Sequence, residues 1–172
     1  MLFNLKMGSI IMQESKIYFY IKKYLRNTDW NVLGGEPPDG SNDVRRIEIR
    51  NPLNLFKGSK GSLKVDLIAS KGPVLLLVEI KSEFDYSDVD KLNYIVNERQ
   101  KDLFTALLER CHLQKENFDY VIKCLGLNKF KNEQLPNDYM LVHLKDSLKV
   151  DILFGKAINS KISNYFEKKF TF

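Results

Sequence analysis

Three charged side chains stand where charge is expensive. Asp66, Glu79 and Lys81 fall within Gly61–Lys81, a stretch otherwise dominated by apolar and β-branched residues. It reads as two strands, Leu63–Ala69 and Val74–Lys81, joined by a tight turn at Lys71-Gly72-Pro73. Val74 to Val78 is apolar at both parities, the mark of a central strand buried on both faces. A charged group goes fully inside only with a partner or a metal, because desolvation costs several kcal/mol. Alternation puts Glu79 and Lys81 on one side of their strand. A four-residue loop, Lys71 to Val74, sets Asp66 directly opposite Glu79. A two-residue loop, Lys71-Gly72, sets it opposite Leu77 and diagonal to Glu79. Both keep the three charges on one face, whereas a three-residue loop separates them. Two carboxylates about 5 Å apart repel. A divalent cation relieves that repulsion, and an all-oxygen ligand set suits Mg²⁺ or Mn²⁺.

Asp66, twelve intervening residues, and then Glu79-Ile80-Lys81 at the end of an apolar strand resemble the PD-(D/E)XK nuclease superfamily. Val65 stands where that pattern usually carries proline. The resemblance spans roughly residues 10 to 127. It implies a restriction-endonuclease-like α/β fold, with a central mixed sheet of about five strands flanked by helices. It further implies that Asp66 and Glu79, with the main-chain carbonyl of Ile80, ligate one or two Mg²⁺ ions. Lys81 would contact or help deprotonate the attacking water. DNA is the implied substrate, and a type II restriction endonuclease or its small catalytic subunit the implied enzyme. A double-strand cut needs two sites, hence a homodimer or a larger partner subunit. A junction resolvase, a repair nuclease and a non-catalytic nucleic-acid-binding module on the same fold are the competing readings.

The elements that must hold these groups follow from periodicity. Ile10 to Arg26 reads as a helix, with Ile10, Ile17, Ile21 and Leu25 on one stripe and Glu14 within it. The resemblance makes Glu14 an auxiliary acid of the site. A first-turn glutamate favoured by the helix dipole is the plainer account. Trp30–Leu33 reads as a short strand, Gly34–Gly40 as turns, and Arg45–Arg50 as a half-buried strand. Asn51 to Ser62 reads as a loop. Arg45, Arg46, Arg50, Lys57, Lys60 and Lys64 set six bases against the single acid Glu48 between positions 45 and 64. That run leads into the acidic hairpin, so a surface following nucleic-acid phosphates is expected there, against a merely solvated loop.

Beyond Lys81, Ser87 is a candidate N-cap. The apolar pattern Val89, Leu92, Val96, Leu103, Leu107, Cys111 reads as one long amphipathic helix. Residues 119–126 and 139–144 read as strands and 150–154 as a short edge strand. Ala157 to Phe170 carries Ile158, Ile162, Tyr165 and Phe166 at helical spacing.

Composition bounds the rest. The 172 residues suit one domain with a full core, and 28% charged with 44% apolar residues suits a water-soluble protein. The longest apolar run is too short to span a membrane, and the first residues lack a signal peptide's order. Cys111 and Cys124 show no zinc spacing and read as reduced thiols, in keeping with the cytoplasm. His112 and His143 have no nucleophile in sequence reach, which argues against Ser-His-Asp chemistry. No GxxxxGK[ST] loop is present. Net charge is only +5, so an argument for nucleic acid rests on local concentration of charge.

Overall fold

A computed structural model describes residues 11–38, 40–54 and 60–172. Seven strands form one mixed sheet. In chain order the elements are α1 (Glu14–Asn27), β1 (Asn31–Gly34), β2 (Glu48–Ile49), β3 (Leu63–Lys64), β4 (Leu67–Lys71), β5 (Val74–Glu83), α2 (Tyr86–Asn97), α3 (Gln100–Cys111), β6 (Tyr120–Lys129), β7 (Tyr139–Leu144), β8 (Lys149–Phe154) and β9 (Lys169–Thr171). The sheet order is β1-β4-β5-β6-β7-β8-β9, and β2 pairs with β3 in a small separate sheet. The expectation of about five strands is therefore too low.

The apolar run of β5 becomes central because no other placement buries both of its faces. Val74, Leu76, Val78 and Ile80 pack with Ile17, Ile21 and Leu25 of α1. Leu75 and Leu77 pack on the other face with Val89, Leu92 and Ile95 of α2 and Leu103 and Leu107 of α3. Each such side chain contributes about 1.5–3 kcal/mol by leaving water. β5 and β6 run parallel, so α2 and α3 form the crossover that parallel neighbours require.

Five further expectations are corrected. The long helix divides at Glu98-Arg99, because the stripe skips a turn between Val96 and Leu103 and Arg99 is used elsewhere. Arg99 bonds Asp102 at 2.6 Å and the Arg50 carbonyl at 2.5 Å, anchoring the 45–51 segment. Ala157–Phe170 is not a helix: a 3-10 segment, Ser160–Tyr165, leads into β9. Trp30 stacks against Phe166 at 4.6 Å, and the Tyr24 hydroxyl donates to the Glu167 carbonyl at 2.8 Å. These contacts close the α1-side core while β9 pairs with β8, so β8 is not an edge. Arg45–Arg50 contributes only the two-residue β2, outside the main sheet. The cap of α2 is Asp85, whose carboxylate accepts from the Ser87 amide at 2.8 Å. Helix α1 begins at Glu14; Ile10, placed on its stripe by the sequence, lies outside the described residues. Among the described residues no helix is long and apolar enough to cross a membrane.

Candidate active site

The hairpin closes on Gly72-Pro73, with Gly72 at φ 53°, the positive φ that a tight two-residue turn asks of its first position. Lys71 pairs with Val74, and the ladder runs from there to Leu67 opposite Val78. This is the register that the four-residue loop gives, closed by one further pair. Continued by one residue it sets Asp66 opposite Glu79.

The ladder does not continue, and the interruption makes the site. Leu63–Ala69 is not one strand but two, broken at Val65-Asp66. Hydrogen-bonded pairs alternate from Lys71–Val74 through 69–76 and 67–78, so the Ile80 amide would next meet the Val65 carbonyl. That carbonyl instead accepts from the Glu36 amide at 2.9 Å. The Asp66 carboxylate takes its place, with Oδ2 2.7 Å from the Ile80 nitrogen. Gly35 permits the crossing: a Cβ there would lie 2.3 Å from the Asp66 carbonyl oxygen. The chain can approach Asp66 this closely only without a side chain.

Glu79 is 2% exposed. Its Oε2 lies 2.7 Å from Lys91 Nζ of α2, while its Oε1 is buried without a hydrogen-bond partner. Burial, and after it the charge of Asp66, push the Glu79 carboxyl up to about 8 against the pull of Lys91. Burial also raises Asp66, outweighing the Ile80 amide and the ammonium groups of Lys91 and Lys81. Asp88 of α2 is raised to about 6 by burial, against Lys81 and Lys91. Lys81 is half-exposed and 3.7 Å from Glu14. Burial works to discharge it, but Glu14 first and then Asp88, Asp66 and Glu79 hold its ammonium above the ordinary range.

The structure thus brings Glu14, Asp66, Glu79 and Lys81 to one end of the hairpin. Asp88 and Lys91 join them unannounced by the sequence reading. Lying three residues apart on one helix, they share a face, and that spacing just after Lys81 was the available signal. The basic run fares differently. Arg45 donates to the Arg110 carbonyl at the end of α3, Arg50 pairs with Glu109 at 3.7 Å, and Lys64 pairs with Glu36 at 3.0 Å. Arg46 and Lys60 are exposed, and Lys57 lies outside the described residues.

Chemically, the cluster is the buried Glu79 and the half-buried Asp66, with the Lys91 and Lys81 ammonium groups against them and one Glu79 oxygen unpaired. Such a donor set fits a small hard cation. Among the described residues, no three His, Cys, Asp or Glu side chains converge as a ready-made cage, so an ion here would draw on main-chain oxygen and water as well. A surface groove of about 390 Å³ lies elsewhere, between α3 and residues 114–116, and holds no comparable group. Neither a family model, nor a curated protein, nor a solved structure matches this chain.

Proposed function

We propose that this chain is a Mg²⁺-dependent DNA endonuclease on a restriction-endonuclease-like core, working in the cytoplasm as a type II restriction enzyme or its small catalytic subunit. The observation that carries the reading is Glu79, a carboxylate 2% exposed with an unpartnered oxygen, held across the hairpin from Asp66. A fold gains no stability from that arrangement, and local rules are broken in this way chiefly at functional sites.

Asp66 and Glu79, with the Ile80 carbonyl, would hold Mg²⁺, or Mn²⁺ in its place. The ion, when bound, supplies an acidified water and offsets charge on the phosphoryl group. Asp66 is oriented by the Ile80 amide and Glu79 by Lys91, so both carboxylates are fixed before any ligand arrives. Lys81, kept charged by four surrounding acids, is suited to stabilise a pentavalent phosphorus and to orient the attacking water as a cation. It is poorly suited to take that water's proton. Glu14 positions Lys81 through their ion pair. A homodimer would supply the second site for a double-strand cut.

One observation favours a second reading. Lys91 already neutralises Glu79 without a metal, as in a non-catalytic module that binds nucleic acid and has no further use for its acids. Plasmid DNA incubated with the protein, with and without Mg²⁺, decides. Discrete fragments that vanish in excess chelator are expected. Cleavage confined to branched DNA would move the assignment to a resolvase. Binding without cleavage would overturn catalysis in favour of the module.

A further inference from the structure

Of the basic residues expected to follow phosphates at 45–64, Arg45, Arg50 and Lys64 are engaged in internal contacts, and strand register places a second basic surface beside the acidic site. Lys81 pairs with Leu127, Leu127 with His143, His143 with Asp151, and Asp151 with Lys169. Residues directly paired across strands share a face, so this row crosses five strands on the side that Glu79 occupies, with Leu127 buried in the core and the basic residues at its two ends reaching solvent. Two residues further toward the same end, Glu83 pairs with Lys129 and Lys149 with Thr171. Lys145 joins them through its main-chain bond to Lys149 and its ion pair with Asp151. The opposite face of β8 is apolar, with Val150 and Ile152 in the α1-side core.

From this register we infer that the sheet face running from Lys81 across the ends of β6, β7, β8 and β9 is the track for the phosphodiester backbone of the substrate. The inference rests on the nuclease reading of the Asp66–Glu79 site and names the surface that presents DNA to it. Five lysines (81, 129, 145, 149 and 169) stand on this face with two acids, Glu83 and Asp151. Four strand intervals at about 4.8 Å make a band roughly 19 Å long, comparable with five or six base pairs of duplex at 3.4 Å each. A groove of about 300 Å³ at its far end is lined by Lys145, Lys149 and Lys169 together with Asp151 and Thr171. Lysines also guard sheet edges against pairing with other chains, which would account for Lys169 on β9. Lys129 and Lys149 stand on interior strands, where no edge needs guarding, and Lys145 is held by its ion pair with Asp151.

The test is binding of a short fluorescent DNA duplex, in chelator so that nothing is cut, across a range of salt concentrations. Lys149→Gln with Lys169→Gln, both exposed, should lower the slope of log affinity against log salt by about 1.8, or about 0.9 for each single variant. Lys101→Gln with Lys115→Gln, an equal loss of exposed charge along the α3 groove, should leave the slope at the wild-type value. Equal slopes for the two double variants would overturn the track. A wild type that cuts DNA while the sheet variants bind unchanged would remove the track and keep the nuclease. A slope lost as expected in a protein that never cuts would keep the track and remove the catalytic reading. No binding of duplex by the wild type at any salt would remove both.

Discussion

Helix α2 covers two buried charged clusters, and they are built on opposite terms. At one, Lys123 of β6 reaches Asn93 Oδ1 at 2.6 Å, the Asp138 carboxylate, and the ring of Tyr139 with its centroid 4.6 Å away. The Tyr139 hydroxyl lies 2.7 Å from the Val89 carbonyl and 3.0 Å from Asn93. The buried donors there all have acceptors. At the other, less than one helical turn away, Lys91 meets Glu79 but leaves Oε1 without a partner and Asp66 and Asp88 raised by burial. A satisfied network fixes the packing of α2 on β6 and β7. An unsatisfied one persists because something else completes it. The proposed function assigns the second cluster to chemistry and the first to packing.

Substitutions should pull the two clusters apart. The largest effect belongs to the acidic one. Asp66→Asn keeps an oxygen for the Ile80 amide but removes a charge, so Mg²⁺-dependent cleavage should fall at least ~10³-fold. The metal-free melting temperature should hold or rise, since a repulsion is lost. Mg²⁺ at ~100 times its dissociation constant should stabilise the wild type by about 2.7 kcal/mol and this variant much less. A variant that melts well below wild type yet still cuts would make Asp66 a structural residue.

At the satisfied cluster the signs reverse. Lys123→Ala leaves the Asn93 side chain without its donor, while the exposed Asp138 returns to water, and should cost about 1–2 kcal/mol of stability, read by denaturant titration. Cleavage per folded molecule should not change. A stable Lys123→Ala protein, or an inactive one that is folded, would erase the distinction between the clusters.

The smallest effect is in pH. Glu79 titrates near 4.5 when unfolded and about 8 when folded, so between those values the folded state holds the extra proton. Metal-free stability should therefore be highest at the acid end of that window, fall as pH rises through it, and level off above about 8. Asp88, raised to about 6, and Asp66 act with the same sign. Thermal melts across this range should show the decline in the wild type, and Glu79→Gln should flatten it. A wild-type melting temperature that climbs with pH would mean that Lys91 dominates the pair and holds Glu79 ionised.

How much of this was legible beforehand depends on distance along the chain. Strand β5, its hairpin and the shared face of Glu79 and Lys81 follow from alternation and turn chemistry among near neighbours, and the structure has them. The first helix was legible for the same reason, with Glu14 at its start. Elsewhere periodicity misled. Ile158, Ile162 and Phe166 keep a spacing of four without a helix, because contacts with Trp30 and Tyr24 and pairing with β8 outweigh local preference.

The sequence by itself determined that Glu79 enters the interior and which strand carries it beside Lys81, since both are properties of residues a few positions apart. Tertiary structure decided the rest. The chain breaks at Asp66 because Glu36, thirty positions earlier, takes the Val65 carbonyl and Gly35 lets the backbones cross. Lys91 and Asp88 reach the site only because α2 folds back over β5. The lysines of β6 to β9 come to share one face only once the register is set. Hydrogen bonds and charges act through space at a few ångströms, and which distant residues come within that range is fixed when the sheet closes.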